Sequence, residues 1–374
     1  MRRSLQQDPV LLVLLAALPV LAFLAPNPLA SLPGLVDWPT IAALTGLLLL
    51  TKGLEVSGAL HRLGHRLIGL MATERTAALC LVSAAALLST VLTNDVALFV
   101  VVPLTLGVCR LTKMPATKLI VFEALAVNAG SALTPIGNPH NLFLWQRSGV
   151  SFGEFVAHML PLVALLMVAL LALTAAAFRG NAVHARDDAS PAPLDRTLFG
   201  ASLALYVPFL VATELRHAGW AVATVLVLFL VLRPRVLLQL DWGLLLVFVL
   251  MFVDLRLLAG LGVVREAMLG LGLERPVHLY LAGIGLSQVV SNVPAAIALA
   301  EYSADWRVIA YGVNVGGFGL MVGSLANLIA LRLSGDRKAW LSFHGHAIPA
   351  LIVAAALGHA LLFLPHLPRL LYLP

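Results

Sequence analysis

Long apolar runs separated by short polar segments dominate this chain, and most have the length of a helix that crosses a bilayer. They predict spanning helices at roughly 10–25, 40–58, 156–178, 197–213, 219–232, 241–260 and 344–365. Stretches such as "TIAALTGLLLL" and "MLPLVALLMVALLALTAAAF" carry no charged residue. Four other stretches depart from the pattern. The segment 77–109 is apolar but holds Asn94 and Asp95 near its middle, and as one straight helix it would run about 50 Å, well beyond a ~30 Å hydrocarbon core. A hairpin that turns at Asn94 is therefore expected, and a second at 277–300, where Asn292 and Pro294 stand in the middle. Two short full spans would give each segment the same sidedness; length and the polar tip favour hairpins. The segments 118–146 and 308–333 read as broken helices, interrupted by "NAGSALTPIGNPHN" (Asn128 to Asn141) and "NVGGFGLMVGSLAN" (Asn314 to Asn327).

Composition settles the class. Of 374 residues, 60% are hydrophobic and 11% charged, and the mean hydropathy is +0.97, which describes an all-α polytopic membrane protein and excludes a soluble domain. The net charge of +6 implies no nucleic-acid partner, because the basic residues sit in short loops where orientation in the lipid bilayer accounts for them. With the N-terminus in the cytoplasm, Arg2, Arg3, Arg62, Arg66, Arg75, Arg110, Lys113 and Lys118 begin a run of basic cytoplasmic segments. The opposite side is sparser, with Arg147, Arg216, Arg265, Arg275, Arg307 and Arg369, and it receives the C-terminus. The start of the chain lacks a clean A-x-A cleavage signal and is read as the first spanning helix. Cys80 and Cys109 show no ligand spacing and read as packing residues.

The second half repeats the first. Asp37-Trp38 and Lys52 find counterparts in Asp241-Trp242 and Arg256; Ser89, Thr93 and Asn94 in Ser287, Ser291 and Asn292; Asn128, Gly130, Gly137 and Asn141 in Asn314, Gly316, Gly323 and Asn327. Repeat 1 covers 1–178, with hairpin 77–109 and broken helix 118–146. Repeat 2 covers 219–374, with hairpin 277–300 and broken helix 308–333. Between them, 179–218 forms a cytoplasmic linker and a connecting helix. The odd number of crossings before repeat 2 inverts it. Inverted repeats with matched broken helices are the architecture of secondary transporters, whose sites lie at the midplane between repeats.

Irregular backbone at membrane depth costs several kcal/mol per unpaired polar group unless protein, water or an ion satisfies it. Pro135 and Pro139 remove donors, Gly137 permits unusual backbone, and Thr134, Asn138 and Asn141 add side-chain oxygens. Freed oxygens suit a hard cation such as Na⁺, and restarted helix N-termini suit an anion. A kink for packing is the alternative; its matched recurrence in both halves argues for a site. Asp95, matched by Val293, can bind a cation, carry a proton or pair with a basic residue. Lys52 and Arg256 read as anchors near helix ends, Glu55 as a partner of Lys52, Glu123 as a pathway residue or a structural one, and His140 as rim packing beside the break. His61 and His65 share a helical spacing without an acidic third ligand, so they make a poor metal site. No nucleotide loop and no hydrolase or zinc motif is present, and the chain is not read as an enzyme.

"STVLTNDVALFVVVPL", "EALAVNAGSALTPIGNPHNLFLW", "GLSQVVSNVP" and "NVGGFGLMVGSLANLIALR" resemble the ion transporter superfamily, the citrate, arsenite and dicarboxylate permeases with the citrate-transporter-like domain. Within it the chain is similar to a bacterial inner-membrane branch of anion permeases. The resemblance implies two inverted repeats, each with a re-entrant hairpin and a discontinuous helix, a homodimer, and elevator-type movement. It puts the hairpin tips at Thr93, Asn94, Asp95, Ser291 and Asn292. The unwound loops carry Asn128, Gly130, Ser131, Thr134, Pro135, Gly137, Asn138 and Asn141, and Asn314, Gly316, Gly317, Gly323, Ser324 and Asn327. Na⁺ is expected at Asn94, Asn128, Asn292 and Asn314. Two departures stand out: the tip reads Thr-Asn-Asp where sodium-coupled dicarboxylate members read Ser-Asn-Thr, and Leu320-Met321 replaces Thr134-Pro135. The expected function is secondary active transport of a small organic or inorganic anion coupled to Na⁺ or H⁺, with no other cofactor. A Na⁺/H⁺ antiporter or arsenite-type efflux permease on the same fold is the alternative, and a channel is a further one.

Overall fold

The computed structural model describes residues 9–24, 29–60, 62, 71–112, 114–182, 193–336 and 338–364. His61, His65 and the middle of the linker at 183–192 lie outside the described residues. In chain order the α-helices are α1 (Pro9–Leu24), α2 (Trp38–Val56), α3 (Glu74–Val91), α4 (Asn94–Thr112), α5 (Ala116–Ser131), α6 (Pro139–Ser148), α7 (Phe152–Ala177), α8 (Arg196–Glu214) and α9 (Ala218–Leu232). They continue with α10 (Pro234–Leu238), α11 (Trp242–Ala259), α12 (Gly262–Gly270), α13 (Pro276–Val290), α14 (Asn292–Ala300), α15 (Trp306–Gly316), α16 (Leu325–Ser334) and α17 (Ala339–Phe363). Among the described residues β-structure is limited to one isolated bridge, Thr73 to Ala182. Six helices, α2, α3, α7, α8, α11 and α17, are long and apolar enough to cross a membrane, while α1 and α9 are shorter apolar helices. The protein is an all-α polytopic membrane protein.

Each interruption expected from the sequence is a real break. Leu92 and Thr93 part α3 from α4, and the two arms pack on each other as a hairpin. The second hairpin turns at Ser291, which holds φ 75° and ψ 158°, a conformation that a residue with a side chain adopts only under constraint from its surroundings. The first broken helix stops at Ser131 and restarts at Pro139, where a missing N–H costs nothing and Asn138 caps by accepting from Asn141 N. The second stops at Gly316 and restarts at Leu325, with Gly319 at φ 101° in the intervening loop.

Packing follows a two-fold pattern. The first arm of each hairpin lies along the first half of its own broken helix, α3 on α5 and α13 on α15. The second half of each broken helix crosses over: α16 packs on α4 and α5, and α6 packs on α14 and α15. Farther out, α1 packs on α11 and α9 on α2. This exchange of partners is what two inverted repeats related by a pseudo-two-fold axis produce. It also buries α5 from Leu119 to Ser131 and α15 from Val308 to Gly316 on every side, so the ends of both helices meet at the centre of the molecule.

Small residues permit that approach. A Cβ added to Gly130 would stand 2.2 Å from Ala86 O and 2.6 Å from Ser89 Oγ, and one added to its counterpart Gly316 would stand 2.5 Å from Ser287 Cβ. Gly130→Ala and Gly316→Ala are expected to lower stability by about 1–3 kcal/mol through overpacking, against the Ala86 backbone in the first case and the Ser287 side chain in the second. Gly285→Ala on the same helix as Ser287, where an added Cβ meets nothing within 4 Å, is the control and should leave the thermal midpoint of the detergent-purified protein close to that of the parent. Equal midpoints for Gly130→Ala and Gly285→Ala would refute the close-packing account.

Candidate functional site

The two broken helices are joined by a reciprocal pair of hydrogen bonds between the helix turns that flank their breaks. Asn128 Nδ2 donates to Asn327 Oδ1 at 2.7 Å, and Asn314 Nδ2 donates to Asn141 Oδ1 at 2.8 Å. Asn128 and Asn314 are counterparts, as are Asn141 and Asn327, so the second bond is the first turned about the pseudo-two-fold axis. The remaining amide protons are used the same way. Asn141 Nδ2 faces the carbonyls of Ser131, Ala132 and Thr134, and Asn327 Nδ2 those of Gly317 and Leu320. Asn128 also donates to Gly317 O at 3.1 Å. Carbonyls released by the broken helices are thereby satisfied without water, as membrane depth requires.

The hairpin tips close on these loops. Asn94 N donates to Gly137 O at 2.9 Å, and Thr134 Oγ1 donates to Thr90 O at 2.6 Å, which fixes the first tip to the first loop. Pro135 is buried in that loop, and Gly137 lies so near Ser131 that an added Cβ would stand 2.3 Å from Ser131 O. In the second half, Asn292 Nδ2 and Asn128 Oδ1 both stand 3.4 Å from where a Cβ on Gly317 would project, so the second tip reaches the same centre. Gly323 packs against Gly316 O, and Ser324 at the start of α16 is fully buried. The expected site residues fall at the two tips and around the two breaks, but the unwound stretches are shorter than expected, 132–138 and 317–324: Asn128, Gly130, Ser131, Asn314 and Gly316 lie in the last turns of α5 and α15, and Asn141 and Asn327 in the first turns of α6 and α16. Four helix N-termini, those of α4, α6, α14 and α16, belong to this group, and their dipoles give it a positive bias. Of the expected Na⁺ ligands, Asn94 Oδ1 already accepts from Asp95 N, Asn292 Oδ1 from Ser291 Oγ, and Asn314 Oδ1 from Asn138 Nδ2 with His140 Nε2 also 3.1 Å away.

Asp95, next to Asn94 in the first turn of α4, also borders a cavity. Together with Thr93, Val96 and Phe99 it lines this space of about 400 Å³, whose other walls are Leu48, Lys52 and Glu55 of α2 and residues Leu238 to Leu244 at the α10–α11 junction. Thr93 Oγ1 and Asp95 Oδ1 are buried with no hydrogen-bond partner. Three carboxylates, Asp95, Glu55 and Asp241, share the lining with one ammonium, Lys52, which is itself paired with Glu55 at 2.7 Å. Asp241 caps α11 by accepting from Leu244 N. Among the described residues no group of three His, Cys, Asp or Glu side chains is arranged to hold a metal ion.

Several polar residues behave otherwise than expected, or were not singled out at all. His140, read as rim packing, is fully buried beside Asn314 Oδ1 at 3.1 Å; the break turns inward, so the residue after Pro139 points to the centre. Glu123 is fully buried and bonded by the Thr105 hydroxyl, which makes it a tie between α5 and α4. Arg256 is more than an anchor. It pairs with Glu301 at 3.2 Å, a carboxylate shared with Arg147 at 3.3 Å, and so links α11 to the end of α14 and of α6. Gln288 was missed, although the comparison of "LLSTVLTND" with "GLSQVVSNV" sets it against Thr90 and marks it as a difference between the halves. Its amide donates to Gly316 O at 2.6 Å and accepts from Leu320 N at 2.8 Å.

Comparison with known proteins agrees with this architecture. The solved structure of the Alcanivorax borkumensis YdaH transporter, described as having an unusual topology, superposes with a TM-score of 0.52 over 93% of this chain and 94% of that one; at 15% identity the likeness is one of fold. The inner membrane protein YbiR of Escherichia coli is 47% identical over 360 residues, covering 96% of this chain and 97% of its own. An uncharacterized transporter of Methanocaldococcus jannaschii, MJ0456, is 33% identical over 306 residues, covering 80% of this chain and 82% of its own. The family model described as citrate transporter matches residues 5–308, and the chain belongs to that family of membrane transporters.

Proposed function

We propose that this protein is a secondary active transporter of a small carboxylate or oxyanion, coupled to Na⁺ or H⁺ by alternating access. The observation that carries the reading is the meeting of four helix N-termini around two reciprocally bonded, broken helices. Positive dipole ends favour an anion there, while the unpartnered oxygens of Thr93 and Asp95 beside them favour a cation. Each ligand lowers the cost of placing the other nearby, and that mutual preference is a coupling free energy. Charge balance then lets the fully loaded and the empty carrier reorient more readily than the half-loaded one. In this reading the moving unit holds the hairpins and broken helices, repeats 1–178 and 219–374 flank the segment 179–218, and the protein acts as a homodimer in the bacterial inner membrane. The N-terminus faces the cytoplasm and the C-terminus the periplasm.

The carboxylate-rich lining around Asp95 favours a second reading, Na⁺/H⁺ antiport or arsenite-type efflux on the same fold. Asp95→Asn separates the two in proteoliposomes. Under anion transport the variant keeps substrate-specific uptake but loses its dependence on Na⁺ or pH; under antiport all exchange is lost.

Two further outcomes follow from the site. In thermal-stability measurements with citrate, succinate, sulfate, phosphate or arsenite, a bound anion at ~100 times its Kd should add about 2.7 kcal/mol. The stabilisation should grow with the coupling cation and vanish in Asn94→Ala; no shift with any anion would refute the anion reading. Asn128→Ala and Asn327→Ala should each cost about 1–3 kcal/mol, because a buried amide loses its partner. The double variant should cost less than the sum, and strict additivity would count against the bond as the link between the repeats.

A further inference from the structure

The register of the repeat extends beyond the matched motifs. Trp38 Nε1 donates to Pro33 O and Trp242 Nε1 to Leu237 O, each at 3.0 Å, and Asp37 and Asp241 each cap a helix by accepting from the N–H three residues on. The cavity beside Asp95 therefore has a defined counterpart in the other half. Lys52 answers to Arg256, Glu55 to Ala259, and the wall from Leu238 to Leu244 answers to Gly34 to Thr40. Counted from the matched tips, Phe99 answers to Ile297.

One of these two matched places is open and the other is shut. Phe99 lines the cavity and is 51% exposed, whereas Ile297 is 0% exposed. Where Lys52 turns along its own helix to Glu55, Arg256 donates to Leu35 O and pairs with Glu301 just past the end of α14. Tyr302 OH donates to Ala259 O at 3.0 Å, so the end of α14 is tied twice to the end of α11. Helix packing divides in the same way. Among the described residues α14 lies on α11 and α6 on α2, while no comparable packing joins α4 to α2 or α16 to α11. Tyr206 of the connecting helix α8 does reach the first hairpin at Val91 O, but α8 has no counterpart in the second half and does not enter the comparison. On the orientation proposed above, the open place faces the cytoplasm, because α2 leads to Arg62 and the α10–α11 junction follows Arg233 and Arg235. The shut place lies with Arg147 on the periplasmic side.

Exchanging the conformations of two inverted repeats turns a carrier open on one side into a carrier open on the other. In the exchanged state Ile297 lines the opening, and Lys52 stands as Arg256 does here, turned from Glu55 toward the Gln239 carbonyl that answers to Leu35 O. We propose that Arg256, Glu301 and Tyr302 form a latch that closes the periplasmic side, and that Lys52, by leaving Glu55 for the α10–α11 junction, closes the cytoplasmic side in turn. This inference rests on the alternating-access reading above.

The test uses the purified full-length protein without cargo, with Cys80→Ala and Cys109→Ala as the background, and follows the rate at which a water-soluble maleimide labels Phe99→Cys or Ile297→Cys. In the parent background Phe99→Cys should label fast and Ile297→Cys slowly. Glu301→Gln removes one charged partner and should speed labelling at Ile297→Cys about tenfold, with no rise at Phe99→Cys. Tyr302→Phe, a milder change that deletes one hydroxyl from the same closure, should act in the same direction by about threefold. Adding Lys52→Gln to Glu301→Gln removes the opposite closure and should return both rates toward those of the parent. A rate at Ile297→Cys that neither latch variant raises, an equal rise at both positions, or a double variant that stays shifted would overturn the inference. Fast labelling at both positions, unmoved by every substitution, would sink alternating access itself. The anion reading is decided apart from these rates, by the thermal shifts with citrate and sulfate.

Discussion

Two amide-to-amide hydrogen bonds, Asn128 to Asn327 and Asn314 to Asn141, are the constraint around which the rest of this molecule is arranged. A helix that unwinds inside a bilayer frees carbonyls that water cannot reach, and some internal donor must meet them. Asparagine supplies two donors and an acceptor on a short, stiff side chain. Here Asn128 sends its amide protons across to Asn327 Oδ1 and Gly317 O, while Asn314 donates across to Asn141 Oδ1 and back to Ala310 O of its own helix. The close approach of α3 to α5 and of α13 to α15, with glycine at Gly130 and Gly316, brings the four side chains within reach of one another.

The breaks themselves were legible in the sequence because each is local. Asn94 in a segment too long to be one span, and prolines flanking Gly137, are statements about a few adjacent residues and the thickness of a membrane. The repeat was legible because matched residues keep their order. What could not be read was the partner of each polar group. Asn128 and Asn314 align, and alignment invites the idea that they meet, yet each bonds the asparagine just past the other's break. That exchange is set by how the repeats dock. His140 faces inward for the same reason, and Gln288 required knowing that α13 lies beside the second loop.

Symmetry in the backbone and asymmetry in the side chains then divide the labour. The backbone plan duplicates the positive helix ends, which suits a cargo shared between halves. The side chains leave buried oxygens unpartnered at different places in the two halves, at Thr93 and Asp95 in the first and at Asp254 and Ser324 in the second, and Gln288 ties α13 to the second loop with no counterpart in the first. The link from Arg256 through Glu301 to Arg147 shows the same one-sidedness, since Lys52, the counterpart of Arg256, pairs along its own helix with Glu55.

The crossing of partners also bears on how the chain is made. Asn128 is synthesised 199 residues before Asn327, and at ~5–20 residues per second its partner emerges about 10–40 s later. Over that interval Asn128 Nδ2 lacks its acceptor and Asn141 Oδ1 its donor, while the carbonyls of Ser131, Ala132 and Thr134 already meet Asn141 Nδ2 within the first repeat. The first repeat thus carries the donors for its own broken backbone before the second exists, and what awaits the inverted second repeat is the pair of amide-to-amide bonds.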